Sequence, residues 1–199
     1  LWSRVSPKVR NQVRKGWRFG VTVSWGAEEA LPDFYRVFSE NMRDLGTPVY
    51  GRSFFANLVR HSGGRAEICV ARSEDQVLAA ALLLHGRGVA EVPSASSLRA
   101  YNYTNANMVM YWNLLTRAIE AGQETFDFGR SSLGSGTHHF KEQWGAVETP
   151  TAWQYYMRDG RRDLLRPENR KFRMLEWGWR RLPLCVANAL GPVVVRGIP

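Results

Sequence analysis

Apolar positions change their period several times along this chain, and each change marks an element. Val5, Val9, Val13 and Trp17 recur every four residues among basic neighbours, which predicts one face of a helix within residues 1–19. Val21–Trp25 alternates and predicts a strand. Phe34, Val37, Phe38, Met42 and Leu45 are spaced for a helix over Asp33–Leu45, with Gly46 as its stop. A second short helix is expected over Arg52–Arg60, ahead of Ser62-Gly63-Gly64. Period two returns in Ala66–Ala71, which places Ile68 and Val70 on one face. Val77–Leu84 is apolar throughout, the pattern of a strand buried on both faces, and Val89–Pro93 reads as a shorter strand. Polar or Gly-rich turns at Ser73–Gln76 and His85–Gly88 join these three into an antiparallel meander.

The strongest helical signal follows. Met108, Tyr111, Trp112, Leu115, Ala118 and Ile119 form an apolar stripe, with Asn105 as the expected cap and Gly122 as the end. Strand Thr125–Phe128, a Gly-rich loop, a short helix around Thr137–Trp144 and strand Thr151–Met157 come next. Residues 160–199 are expected to form a basic helical extension. The order β-α-α-β-β-β-α-β-α-β predicts an α/β (α+β) protein whose mixed, mostly antiparallel central sheet is flanked by helices. It is also the element order of the GNAT fold. The main domain is expected over residues 21–159, preceded by a linker helix over residues 1–20.

Charge adds a partner to this outline. The net charge is +9, concentrated at Arg4–Arg18 and again at Arg158–Arg181. Such clusters point to an anionic substrate or donor: tRNA, a nucleotide- or lipid-linked precursor, or anionic lipid itself. A hydrophobic fraction of 44% excludes a disordered tail. Val77–Leu84 is far too short to span a bilayer. The tail Leu182–Val195 is longer but is interrupted by Pro183, Asn188, Gly191 and Pro192, so a docked or membrane-surface segment is expected there. Trp177, Trp179, Arg180 and Arg181 fit either choice. Cys69 and Cys185 lack metal spacing, so no metal is expected, and nothing requires an oxidising compartment. No signal-peptide pattern is present; the setting expected is cytoplasmic, with the inner face of the membrane within reach of the tail. The chain opens at Leu1, as a piece of a longer protein would.

The chemistry concentrates between Phe126 and Gly145. The run Phe126-Asp127-Phe128-Gly129-Arg130-Ser131 puts the two aromatic rings on one side of a strand end and Asp127 on the other. Gly134-Ser135-Gly136-Thr137 then opens a short helix whose N–H groups and positive end favour an anion. His138 and Lys141 are three apart and share a face. Arg130, Lys141 and the helix start are expected to converge on a phosphate, a carboxylate or a developing oxyanion. Asp127 either accepts a proton, caps the next helix or pairs with Arg130; His138 is either a base or, like His139, a surface residue. Tyr101, Asn102 and Tyr103, just before the main helix, line an acceptor pocket or pack on the core.

Three segments resemble the FemAB-related proteins associated with exosortase/PEP-CTERM exopolysaccharide systems. They are Lys8-Val9-Arg10-Asn11-Gln12-Val13-Arg14-Lys15-Gly16; Phe34-Tyr35 through Asn41-Met42-Arg43-Asp44-Leu45-Gly46-Thr47-Pro48-Val49-Tyr50; and Ala106-Asn107, Met110-Tyr111-Trp112 with the loop to Phe140-Lys141 and Trp144-Gly145. Arg181-Leu182-Pro183-Leu184 and Leu190-Gly191-Pro192 are also similar to that group. The resemblance implies a GNAT-like acyl-CoA N-acyltransferase superfamily fold and the C-terminal half of a protein with two GNAT-like halves. It implies acyl or aminoacyl transfer onto an amine of a cell-wall or exopolysaccharide precursor, and a transition-state role for the lysine after phenylalanine, here Lys141. Substrate contacts would come from Arg130, Ser131, Gly136 and Thr137, with Asp127 or His138 as base. One departure bears on the donor. Enzymes of the superfamily that use acetyl-CoA carry a glycine-bearing pyrophosphate loop, whereas Ser94–Thr104 holds no glycine. The donor is therefore expected to be aminoacyl-tRNA, with acyl-CoA as the alternative and no further cofactor. A basic, non-catalytic RNA- or membrane-associated subunit of the same fold is the remaining alternative.

Overall fold

The computed structural model describes residues 1–152, 154 and 170–196. Helix α1 (Pro7–Arg18) precedes strand β1 (Val21–Gly26), helices α2 (Leu31–Leu45) and α3 (Arg52–His61), and the meander β2 (Ala66–Ser73), β3 (Gln76–Gly86) and β4 (Val89–Ser97). A 3-10 turn (Arg99–Thr104) leads into α4 (Ala106–Glu120) and β5 (Thr125–Asp127), followed by α5 (Gly136–Glu142), α6 (Arg170–Trp179) and α7 (Leu184–Val195). The five strands lie side by side in chain order. Neighbours are antiparallel except β4 and β5, which run parallel. The sheet is thus mixed, mostly antiparallel and flanked by helices. The strand expected over Thr151–Met157 falls largely outside the described residues. No described helix is long and apolar enough to cross a membrane.

The continuous apolar run became the central strand. Val77 through Leu83 are all buried, and β3 is paired on both edges. Three small residues at its centre, Ala79, Ala80 and Ala81, let helices approach on both faces. Leu78, Ala81 and Leu83 pack under α4 with Val109, Met110 and Leu114. Val77, Ala80 and Leu82 pack under α2 and α3 with Phe34, Val37 and Phe55. Burying each such side chain contributes about 1.5–3 kcal/mol, which is why the sheet sits between two helical layers.

Helix α1 closes a third cluster on the outer side of α4. Val9 and Val13 are fully buried there against Met108 and Trp144. Ser6 caps α1 through its hydroxyl, which accepts the Val9 N–H at 3.3 Å. The helices cross at Gly16, where an added Cβ would lie 2.3 Å from Val109 Cγ2. The N-terminal helix is therefore packed into the domain along its apolar face.

Three local expectations need correction. Strand β4 does not stop at Pro93 but runs to Ser97. Its register jumps from Leu84 opposite Glu91 to Leu82 opposite Ser94, so Val92 and Pro93 share one position in a bulge. A bulge tolerates the missing proline N–H, which an unbroken ladder does not. Asn105 does not cap α4 with its side chain; it is left-handed (φ 55°), and the Thr104 hydroxyl accepts the Ala106 N–H at 3.2 Å instead. The predicted stripe of α4 is its secondary face. Val109, Met110 and Leu114 meet the sheet, Met108, Tyr111, Trp112 and Leu115 meet α1 and α5, and Ile119 is exposed.

Candidate active site

Strands β4 and β5 are paired only over Val89–Glu91 and Thr125–Asp127. Beyond that point β4 continues to Ser97, whereas β5 ends and the chain turns away. The outer edge of β4 from Val92 onward therefore has no strand partner among the described residues. The turn is built by Asp127, whose carboxylate Oδ1 accepts the Gly129 N–H at 2.7 Å. Gly129 has φ 72°, a left-handed conformation that a side chain would strain.

Helix α5 closes back over this turn. Ser135 caps it, accepting the His138 N–H at 3.2 Å and sharing a 2.9 Å hydroxyl contact with Thr137. An aromatic seat holds the helix to α4. The Tyr111 ring stacks on Phe128 at 5.9 Å and meets Phe140 edge-on at 4.8 Å, with Trp144 buried below. Burial pushes the Tyr111 phenol up to about 12, so it stays neutral.

This seat places Lys141 over the turn. Its ammonium donates to the carbonyls of Gly129 at 2.8 Å and of Arg130 at 2.9 Å. An ammonium has three donors, so one remains without a partner among the described residues. Partial burial lowers the Lys141 pKa from its ordinary 10.5, and the charge of nearby Asp127 opposes that fall. Asp127 and Lys141 are thus brought together, with the second carboxylate oxygen of Asp127 left outside the turn. Beside them the Ser131 hydroxyl is buried without a hydrogen-bond partner among the described residues. A buried hydroxyl in that state marks a place where a partner is required.

His138 is occupied differently. Its Nε2 lies 2.6 Å from Glu148, and its Nδ1 accepts the Gly134 N–H at 3.3 Å. Accepting at Nδ1 puts the proton on Nε2, directed at Glu148, so the neutral ring has no lone pair left for a substrate proton. Glu148 gave no signal in the sequence because the pair spans the α5 helix and its C-terminal turn. His139 and Glu142 form a second exposed pair at 2.8 Å. One ligand atom from each of His138, His139 and Glu142 lies within 4.8 Å of the others, but these atoms already bond one another, Gly134 and Glu148. Arg130, Gly136 and Thr137 are exposed at the loop and the helix start. Helix α5 is only seven residues long and the Ser135 cap takes the His138 N–H, so the expected anion site at its start is short of donors.

The acceptor-pocket candidates lie elsewhere. Tyr101 is half-buried against both core clusters, and Tyr103 meets Phe19 edge-on at 5.6 Å. The Asn102 carbonyl accepts the Asn105 N–H at 3.2 Å. No contact among the described residues joins these three to the Lys141 loop. Their segment is a 3-10 helix, whose N–H groups bond its own carbonyls three residues back.

Comparison with known proteins bears on the fold and the family. No curated protein matches the chain. Among solved structures, FemX superposes with a TM-score of 0.64 at 18% identity, covering 71% of this chain and 54% of that one. The chain therefore spans about half the length of FemX. A ribosomal-protein-alanine N-acetyltransferase from Brucella melitensis biovar Abortus 2308 gives a TM-score of 0.55 at 11% identity, covering 69% of this chain and 99% of that one. Aminoglycoside N-acetyltransferase AAC(6')-Iy, solved with a bisubstrate analogue of CoA, gives 0.57 at 9% identity, covering 69% and 98%. These likenesses are of fold. The acetyltransferase (GNAT) domain model matches residues 3–142, from the start of the α1 region to the end of α5 and including Lys141, and the chain belongs to that family.

Proposed function

We propose that this domain transfers an acyl group from an activated ester to an amine, with Lys141 as the cation that meets the developing oxyanion. The observation that carries this is the fixed ammonium. Two carbonyls hold it where β4 and β5 part, and its third N–H, without a partner among the described residues, suits a substrate oxygen. In such a transfer the amine attacks the carbonyl carbon, the C–O bond to the leaving alcohol breaks, and the proton lost by the amine passes through the base to the leaving oxygen. A cation already in place needs no reorganisation as the oxygen becomes negative, and one such donor is worth about 3–4 kcal/mol of barrier. Asp127 is the better base of the two candidates. One of its oxygens is engaged by the turn and the other takes no hydrogen bond among the described residues, whereas both nitrogens of His138 are taken. The Ser131 hydroxyl, without a hydrogen-bond partner among the described residues, suits a polar group of the substrate.

The donor in this proposal is aminoacyl-tRNA rather than acyl-CoA, and the acceptor an amine on a cell-wall or exopolysaccharide precursor. The glycine-free segment before α4 supports the first part: its 3-10 amides from Tyr101 onward bond carbonyls three residues back, which leaves few N–H groups to wrap a pyrophosphate. The +9 charge suits a polyanionic donor. FemX, about twice as long, supports the idea that a second half completes the acceptor groove. The test is aminoacyl transfer by the full-length protein, with and without Lys141→Ala. A folded Lys141→Ala protein should lose about 100- to 1,000-fold in kcat, and retained full activity would remove Lys141 from the mechanism. Calorimetry with coenzyme A decides the donor, since tight binding abolished by changes in residues 94–104 would replace the tRNA donor with CoA.

A further inference from the structure

The C-terminal helix α7 is built in reverse of an ordinary covering helix. Its inner face carries small residues: Ala187 and Gly191 are buried, and a Cβ on Gly191 would come within 2.8 Å of Val49. Asn188 reaches Ser39 on the same side, at 3.5 Å. Its outer face carries the large ones, Val186, Leu190 and Val193, at helical spacing, with Val193 67% exposed. No charged residue occurs between Leu184 and Val195. A helix serving only to cover α2 would place its large side chains inward and charges outward.

Helix α6 also packs on α2 and also leaves large side chains exposed. Glu176 and Arg180 turn toward Gly46 and the Leu45 carbonyl, so the opposite side, with Met174 and Trp177, faces solvent. The Arg181 guanidinium lies 3.6 Å from the Trp177 ring centroid. Arg181, beside α6, and Arg196, beyond α7, are exposed and give this region a basic margin. Exposed aliphatic residues, a tryptophan and a basic margin together are the make-up of a helix lying in a membrane interface.

We infer that α6 and α7 form a docking face for an anionic lipid bilayer, with α7 lying flat over about 18 Å of its length. Charge selects this occupant. Two copies of the face would oppose arginine to arginine, whereas anionic headgroups neutralise the margin while the acyl boundary takes Leu190 and Val193. Both helices pack on α2, on the side of the sheet away from α4 and the Lys141 loop. Docking therefore leaves the mouth between β4 and β5 uncovered.

The test is co-sedimentation of the 199-residue chain with vesicles of phosphatidylcholine alone and of phosphatidylcholine with phosphatidylglycerol. Binding is expected to the anionic vesicles and to weaken with salt. The double variant Leu190→Glu/Val193→Glu, changed only on the outer face, should bind about tenfold less or weaker still. Arg181→Gln/Arg196→Gln should lose about fivefold per arginine, on anionic vesicles only. Circular dichroism melting confirms that each variant is folded. No binding by the wild type overturns the inference, and so does binding that survives Leu190→Glu/Val193→Glu, which would move the contact to the basic face of α1. Sedimentation velocity supplies the other adverse outcome: a dimer dissolved by the same double variant, without vesicle binding, would make a second copy the occupant.

Discussion

Glycine-to-alanine changes in two helices should have opposite signs. In a helix interior alanine is favoured over glycine by about 0.8–1 kcal/mol. At Gly178, the penultimate residue of α6, an added Cβ meets nothing within 4 Å, so part of that gain should be realised. At Gly16 in α1 the Cβ would lie 2.3 Å from Val109 Cγ2 and 3.3 Å from the carbonyl oxygens of Asn105 and Thr104. Val109 is a β-branched residue in a helix, with one strongly preferred rotamer, and is 1% exposed, so it has nowhere to turn. The carbonyls belong to the N-terminal turn of α4. Helix α1 must therefore move outward, and overpacking of this kind costs about 1–3 kcal/mol. Subtracting the propensity gain leaves Gly16→Ala destabilised by up to about 2 kcal/mol, or up to roughly 8 °C in melting temperature for a chain of this size. Urea and thermal unfolding monitored by circular dichroism provide the assay. A Gly16→Ala protein more stable than wild type would refute the close α1–α4 crossing. Val9 and Val13 share a cluster with Trp144 below α5, so the displaced helix should also lower transfer activity through the Lys141 seat.

Two further outcomes are expected. Glu67 is held below its ordinary 4.5 by the Arg117 guanidinium and by His85, although partial burial works the other way. A lowered carboxylate contributes stability above its unfolded pKa and loses it as pH falls through the folded value. Glu67→Gln should therefore cost about 1–3 kcal/mol at pH near 7, and wild type and variant should converge in acid below the lowered pKa; a constant difference across pH would sink the assignment. The two thiols should also separate: Cys185 is exposed and Cys69 is fully buried, with its pKa pushed up by that burial. An aromatic disulfide reagent should label Cys185 alone in the native protein and both thiols in urea, and rapid native labelling at Cys69 would contradict its place between the sheet faces.

The sequence carried the fold wherever local pattern and tertiary burial agree. The unbroken apolar run Val77–Leu84 had to be a central strand, and Gly46 had to end α2, because its left-handed φ of 81° excludes most alternatives. It failed where two partners compete for one element. Helix α4 is apolar on most sides because it faces both the sheet and α1, so a single stripe could not name its main face. Pro93 looked like a strand end because a bulge is a property of two paired strands, and no single-strand pattern encodes it. In the loop, the types Asp127, Ser131 and Lys141 were visible, but not their partners. The Lys141 contacts are backbone carbonyls, which every residue possesses, and Glu148 lies beyond the helix that carries His138. The two readings of Tyr101, Asn102 and Tyr103, acceptor pocket or core packing, rested on sequence position alone; Tyr101 packs on the core clusters and Tyr103 against Phe19.

The clamp and the proposed chemistry of Lys141 support one another. A lysine on a four-carbon stem loses substantial rotamer freedom when fixed, and an ammonium that must be ordered during the reaction contributes less to it. The Gly129 and Arg130 carbonyls impose that order in advance, and they are themselves fixed by the Asp127 turn and the aromatic seat. They accept hydrogen bonds without neutralising the charge, so the cation keeps its attraction for an oxyanion. Arginine at this position would keep the charge, but its planar fork cannot direct one donor to each of two successive carbonyls and a third outward in the same way. Lys141→Arg should therefore hold stability close to wild type while recovering only part of the activity lost in Lys141→Ala. Equal activity in the arginine and lysine proteins would mean that positive charge alone is sufficient, and that the two-carbonyl clamp has no part in the reaction.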